Sequence, residues 1–195
     1  MPNPTDPRAR TAPPPPGVAA ALAQAGAALC PACGLCCNGV LFGSVRGAES
    51  ENHEALRAGH LEPQPRAGGW EFPQPCRAHR GRDCAIYPDR PRQCRDFHCR
   101  LLQRVAGGDT DGDAALRTIQ DTRRMAARVE AWLSDLGDTE TSLPLSRRFQ
   151  RCVAAPAEES SERLETRAEL LLAVQALIAR LRDAFYTDPE PPAGQ

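Results

Sequence analysis

At 195 residues, 41% of them hydrophobic, the chain is long enough to bury a core of its own. Its formal net charge of −1 sets 24 basic side chains, all arginine, against 25 acidic ones, so bulk charge draws it to neither nucleic acid nor an anionic membrane. No unbroken apolar run reaches the roughly 18 residues of a bilayer span, so no membrane-crossing segment is expected.

Residues 1–16 are proline-rich, with four prolines in succession from Pro13 to Pro16, and read as a disordered tail. Residues 17–29 are rich in alanine and leucine and favour a helix. Arg8 and Arg10 ahead of this stretch imitate an export signal, and Ala27-Ala28-Leu29-Cys30 imitates a lipoprotein cleavage box. The proline run, the weak hydrophobicity of alanine and the bulk of Leu29 argue against both, so a cytoplasmic location is expected. The run Cys30-x2-Cys33-x2-Cys36-Cys37 follows, then Gly39-Val40-Leu41-Phe42 as a short extended piece. Ser50 is placed to cap a brief helix through Arg57. Pro63, Pro65, Gly68, Gly69, Pro73 and Pro75 predict an irregular loop whose Trp70 and Phe72 cover the cysteine region. Asp89, with Pro91 in the first turn, predicts a helix to about Val105 on which Cys94, Phe97 and His98 share a side.

The second half changes character. Leu116, Ile119, Ala126, Val129, Leu133 and Leu136 recur at helical spacing and predict a long helix over 112–136. A shorter helix starts near Leu145 and includes Phe149 and Cys152. A third runs from about Glu158 to Phe185, with Leu164, Leu171, Val174, Ile178 and Leu181 as its apolar face. The expected fold is mainly α: an irregular cysteine-rich metal-binding core packed on a small helical bundle, without a sheet of any size. The expected division is a tail at 1–16, one domain at 17–187 and a tail from 188 to 195. Within the domain, 28–105 is the cysteine-cluster region and 111–187 the helical region.

Eight of the nine cysteines lie between residues 30 and 99, four of them within eight residues. Crowded thiols make a poor apolar core and good ligands for soft or borderline metals. A disulfide framework is the rival, but such scaffolds belong mainly to secreted chains, and adjacent Cys36 and Cys37 could hardly bond to each other without strain. Cys30, Cys33, Cys36, Cys37, Cys76, Cys84, Cys94 and Cys99 are therefore the expected metal ligands. Cys30-Pro31-Ala32-Cys33-Gly34 reads as a zinc knuckle, while Cys30, Cys33 and Cys36 together read as the three-cysteine run of a 4Fe–4S site that takes a remote fourth cysteine. Adjacent side chains diverge, which gives Cys37 either a second site or a bridging position. Spacing leaves open which downstream cysteine joins which group.

An excess of arginine between Trp70 and Val105 suits the surroundings of anionic metal–thiolate centres: Arg77, Arg80, Arg82, Arg90, Arg92, Arg95, Arg100 and Arg104 face only Glu71, Asp83, Asp89 and Asp96. Nucleic acid is the weaker explanation, because aromatic platforms are sparse. His79 and His98 are read as supporting or exposed residues, since eight sulfurs complete two tetrahedra. Cys152, far from the cluster, is read as a small buried apolar residue.

The ordered blocks Cys30-x2-Cys33-x2-Cys36-Cys37-x-Gly39, Cys76, Cys84-Ala-Ile-Tyr87 and Arg90-Pro91-x2-Cys94-Arg95-x-Phe97 resemble the bacterial YkgJ-like cysteine-cluster family, of CxxCxxCC type, over about residues 28–105. The resemblance implies zinc or iron chelation by the eight cysteines, with Tyr87, Arg90, Pro91 and Phe97 packing around them. A related pattern in flagellin lysine N-methylases is associated with an iron–sulfur cluster, but this chain has no Gly-rich nucleotide fingerprint and methylase activity is not expected.

Three functions follow. The first is an iron–sulfur protein, of 4Fe–4S or similar type, that passes electrons or supports a modifying enzyme. The alternative is a zinc-bound structural or adaptor module that offers its C-terminal helices to a protein partner. A metal-dependent enzyme ranks last: it needs an open coordination position and a general base, and Glu51, Glu71, Asp89 and Asp96 qualify by residue type alone.

Overall fold

The computed structural model describes residues 16–51, 53–81, 83–154 and 160–187. The expected tails lie outside them, apart from Pro16, which opens the first helix.

Alanine and leucine carry helix α1 (Pro16–Cys33) four residues past the expected end, through Pro31 and onto Cys33. Its buried stripe of Leu22, Ala25 and Leu29 lies against α4 (Arg100–Ala106) and α5 (Gly112–Asp135). By length and composition α1 is apolar enough to cross a bilayer, with a mean hydropathy of 1.3 over 18 residues. Counting unbroken apolar residues missed this, because alanine contributes to a window average.

Helix α5 begins at Asp111, whose Oδ1 accepts from the Ala114 N–H at 2.7 Å. Its buried Ala115, Ile119, Thr122, Ala126, Val129 and Leu133 recur every three or four residues. They pack on α7 (Ser161–Ala184), capped by Ser160 and buried at Leu170, Val174, Leu177, Leu181 and Ala184. Leu164 and Leu171, expected on this face, are exposed, as is Leu172. Three consecutive leucines compete for one register there, and Leu170 is the one spaced to match Val174 and Leu177. Helix α6 (Leu145–Ala154) lies beside α5, with Arg148 buried in an ion pair to Asp138 at 2.7 Å.

The middle of the chain departs most from expectation. Residues read as an irregular loop supply β2 (Gln64–Arg66) and β3 (Gly69–Pro73), which join β1 (Ser44–Gly47) in an antiparallel sheet ordered β1-β3-β2. Trp70 and Phe72 alternate with Glu71, as a strand buried on one face requires. Pro65 is tolerated because β2 is an edge strand. Gly47 is required where it stands, since the Trp70 ring fills the space a Cβ would take. With α2 (His53–Ala58), Val45, Leu56, Leu61, Trp70, Phe72, Ala78 and Ile86 form a second core separate from the helical one. A two-stranded piece, β4 (His79–Arg80) with β5 (Asp83–Cys84), follows.

The expected helix from Asp89 to Val105 is two helices, α3 (Arg92–Asp96) and α4, with Pro91 rather than Asp89 before the first. Phe97 and Cys99 take extended backbone angles between them. The Phe97 ring meets Phe42 edge-on at 4.8 Å, which anchors the break. Cys94 therefore projects from α3 and Cys99 from the extended residue before α4.

Candidate metal centre

Cys30 and Cys33 lie one turn apart at the end of α1, a spacing that puts both thiols on one side of the helix. The chain then turns: the Gly34 N–H donates to the Cys30 carbonyl, and those of Cys37 and Asn38 to the Gly34 carbonyl. Gly34 has φ +68°, and a Cβ there would press on the His79 ring at 3.2 Å, so glycine is needed twice over. Cys36 follows in the turn. Cys99 arrives from the far side as the residue before α4. Cys33, Cys36 and Cys99 all rest on the helical core. The thiols of Cys33 and Cys36 each feel Cys30, Cys37 and Cys99 electrostatically.

The other sulfurs gather elsewhere. Cys76, Cys84 and Cys94 pack against the core of Trp70, Phe72 and Ile86. Cys37 is tied to this group, because the Cys76 N–H donates to the Cys37 carbonyl at 2.7 Å. The strongest thiol neighbours of Cys37 are Cys76 and Cys84, and Cys94 in turn feels Cys37, Cys76 and Cys84. Cys33, Cys36 and Cys99, with Cys30 beside them, thus lie on the helical side and Cys76, Cys84 and Cys94 on the sheet side, with Cys37 between them and coupled to both. All nine cysteines of the chain are free thiols, so the disulfide framework is not formed. Among the described residues, no three Cys, His, Asp or Glu side chains stand at the spacing of a closed metal site. The sulfurs converge as two neighbourhoods rather than as finished coordination shells.

Burial dominates their chemistry. It pushes the thiols of Cys33, Cys37 and Cys94 up to about 12 and holds Cys36 well above its ordinary value. Cys30, Cys76 and Cys99 are raised for the same reason. Cys30 is exposed as a residue, yet enough protein surrounds its sulfur to raise it too. Backbone N–H groups work the other way: Leu35 at Cys33, Ala78 and His79 at Cys76, Leu102 and Leu101 at Cys99. At Cys99 they act as dipoles, without a formal cap hydrogen bond. Protonated thiols in apolar surroundings with amides turned toward them fit a soft cation. The cation replaces the protons, and the amides then face thiolate.

The arginines behave less uniformly than their number suggested. Arg77 pairs with Glu62, and Arg92 with Asp96, both at the surface. Arg82 lies outside the described residues. Arg90 is different, since its charge lowers Cys30, Cys37 and Cys94. His79 is half-buried behind Gly34 and held below its ordinary value by burial and Arg123. The His98 carbonyl accepts from Gln103 Nε2. Cys152 is half-buried against the helical core. Sequence reasoning left the place of Cys99 open; its signal is a cysteine standing directly before a new leucine-rich turn.

A family profile for CxxCxxCC, described as "Putative zinc- or iron-chelating domain", matches residues 29–126, just over half of the chain and all eight clustered cysteines. The chain belongs to the CxxCxxCC family. Metal binding by cysteines is therefore the family property it carries. The CxxCxxCC match extends past the last clustered cysteine into α5, the helix on which α1 rests. No curated protein and no solved structure matches the chain.

Proposed function

We propose that the chain carries two thiolate-held metal centres and acts as an iron–sulfur protein, passing electrons or supporting a modifying enzyme. In this reading Cys30, Cys33, Cys36 and Cys99 hold a 4Fe–4S cluster, and Cys37, Cys76, Cys84 and Cys94 hold a second iron–sulfur or similar centre. The supporting observation is the first set itself: three cysteines at successive three-residue spacing and a remote fourth, of which Cys33, Cys36 and Cys99 rest on one apolar core and Cys36 feels Cys30. A cluster bound there supplies one-electron transfer. The chain's own contribution is to hold the sulfurs, keep water off them with Leu29, Leu35, Leu101 and Leu102, and offset thiolate charge with amides and Arg90. Protein purified without oxygen should be brown and contain iron and acid-labile sulfide at about four each per cubane. Colourless protein with stoichiometric zinc and no sulfide would sink this reading.

One observation favours zinc instead. Gly34 turns the chain after Cys33 while the Leu35 N–H faces its sulfur, and at Cys76 the N–H groups of Ala78 and His79 do the same. Such amide-braced thiols also suit zinc sites of four cysteines in a structural or adaptor module. The same metal and sulfide analysis separates the two readings.

A further inference from the structure

A cavity of about 540 Å³ opens where α4, the loop after it, the start of α5 and the end of α7 meet. No cysteine lines it, and the function proposed above makes no use of it. Its walls are fixed by backbone contacts. The Asp109 N–H donates to the Arg104 carbonyl at 2.8 Å, and Gly108 turns the chain at φ +82°. Thr118 gives its hydroxyl to the Ala114 carbonyl at 3.0 Å. On the other side, the Arg100 N–H donates to the Phe185 carbonyl at 3.2 Å, which ties α4 to the end of α7. Leu101 and Ala184, both buried, supply an apolar part of the lining.

Four charged side chains border the same space: Arg104 from α4, Asp109 from the loop, and Arg180 and Asp183 from α7. Among the described residues, none of these four side chains makes a hydrogen bond or an ion pair. Arg180 and Asp183 stand three residues apart on one helix, the spacing at which Asp121 and Arg124 pair on α5, yet they do not close on each other. Unspent charges of both signs select a ligand. A plain anion is drawn by the arginines and repelled by the aspartates, and a plain cation meets the reverse; a molecule carrying both charges gains from all four.

We propose that this cavity binds a small zwitterion, a free amino acid or a dipeptide with both ends charged. Its carboxylate lies toward Arg104 and Arg180, its ammonium toward Asp109 and Asp183, and its aliphatic part over Leu101 and Ala184. Guanidinium groups grip a carboxylate through paired N–H donors, and an ammonium has three donors to share between two aspartates. The volume falls within the range of small-molecule sites and exceeds what an inorganic ion needs. The site needs no metal, so it stands or falls separately from the two-centre reading.

Calorimetric titration of the full-length protein tests this with L-leucine and glycyl-L-leucine. Isocaproate, which lacks the ammonium, and isoamylamine, which lacks the carboxylate, each carry one charge. At least one zwitterion should bind, and both single-charge analogues should bind about tenfold more weakly or not at all. A preference for leucine assigns a free amino acid, and a preference for the dipeptide assigns the longer span. Arg104→Gln and Asp183→Asn should each weaken the better zwitterion about tenfold. Both side chains are exposed, so the thermal midpoint should stay at its wild-type value. Neither zwitterion binding at about 10 mM overturns the proposal. So does a single-charge analogue that binds as tightly as the zwitterion, or a folded variant of either kind with unchanged affinity. The analogues are read on the wild type, so a variant that fails to fold leaves the test intact.

Discussion

Among the described residues, the thiols of Cys33, Cys36 and Cys99 rest on a core of 22 buried residues contributed by α1, α4, α5, α6, α7 and the turn after Cys33. Those of Cys76, Cys84 and Cys94 rest on only seven, drawn from short strands and single turns. The helical core is of a size that stands by itself, and its cysteines are mounted on a frame already in place. The sheet core is below what usually folds unaided, so under the two-centre proposal a metal bound there would be part of the fold. The same ligand chemistry would then play two parts: guest on the helical side, staple on the sheet side.

Removing one ligand from each side is the sharpest way to break that contrast. Cys99→Ser should empty the helical set and leave the sheet set loaded, with little change in circular dichroism. Cys94→Ser should do the reverse and also release β1–β3 and α2 to rapid hydrogen exchange. Metal analysis with exchange mass spectrometry reads both; equal unfolding in the two variants would erase the distinction.

Packing changes come next. Leu133→Ala removes a side chain with no exposed surface from the helical core and should cost about 2–5 kcal/mol of global stability. Phe72→Ala, at 2% exposure in the sheet core, should cost a similar amount locally, about 3–5 kcal/mol. Its consequence should be loss of metal from the sheet set before any helix melts, which chelator titration followed by circular dichroism would detect.

Stability also depends on pH. Burial holds Cys33 on one side, and Cys37 and Cys94 on the other, at about 12, against 9.0 for an ordinary thiol. Between those values the folded, metal-free chain binds more protons than the unfolded chain, so stability that is complete below pH 9 falls as pH rises toward 12. Urea midpoints of metal-free protein should show this decline, and Cys33→Ser and Cys94→Ser should each flatten it. The least consequence attaches to Arg128 and Glu169, an exposed pair at 3.8 Å between α5 and α7. Glu169→Ala should change the urea midpoint by no more than about 0.5 kcal/mol in stability.

The contrast between the regions also governs how much could be read in advance. Helices α5 and α6 and the bounds of α7 were legible because a 3.6-residue period repeats over many turns. The facing of α7 was less so, since Leu170, Leu171 and Leu172 satisfy the period in rival registers. The sheet was hidden because its strands are three to five residues long and interrupted by Pro65, Gly69 and Pro73, which look like loop signals. The break at Phe97 was hidden for another reason: Cys94, Phe97 and Leu101 keep helical spacing across it, while the contact that causes it comes from distant Phe42. With that break unseen, Cys94 and Cys99 could not be assigned to different sets. The identity of the ligands, by contrast, needed only chemistry and spacing.

One peptide bond joins Cys36, on the helical side, to Cys37, whose carbonyl is held by Cys76 on the sheet side. The chain therefore crosses between the two halves in a single Cα step of about 3.8 Å. That step is a ruler without slack. Surface loops such as the one around Gly107 and Gly108 can absorb an inserted residue, but one inserted between Cys36 and Cys37 would pull a sulfur away from one side or the other. Whatever varies among chains built this way, the doubled cysteine is the spacing that cannot be stretched.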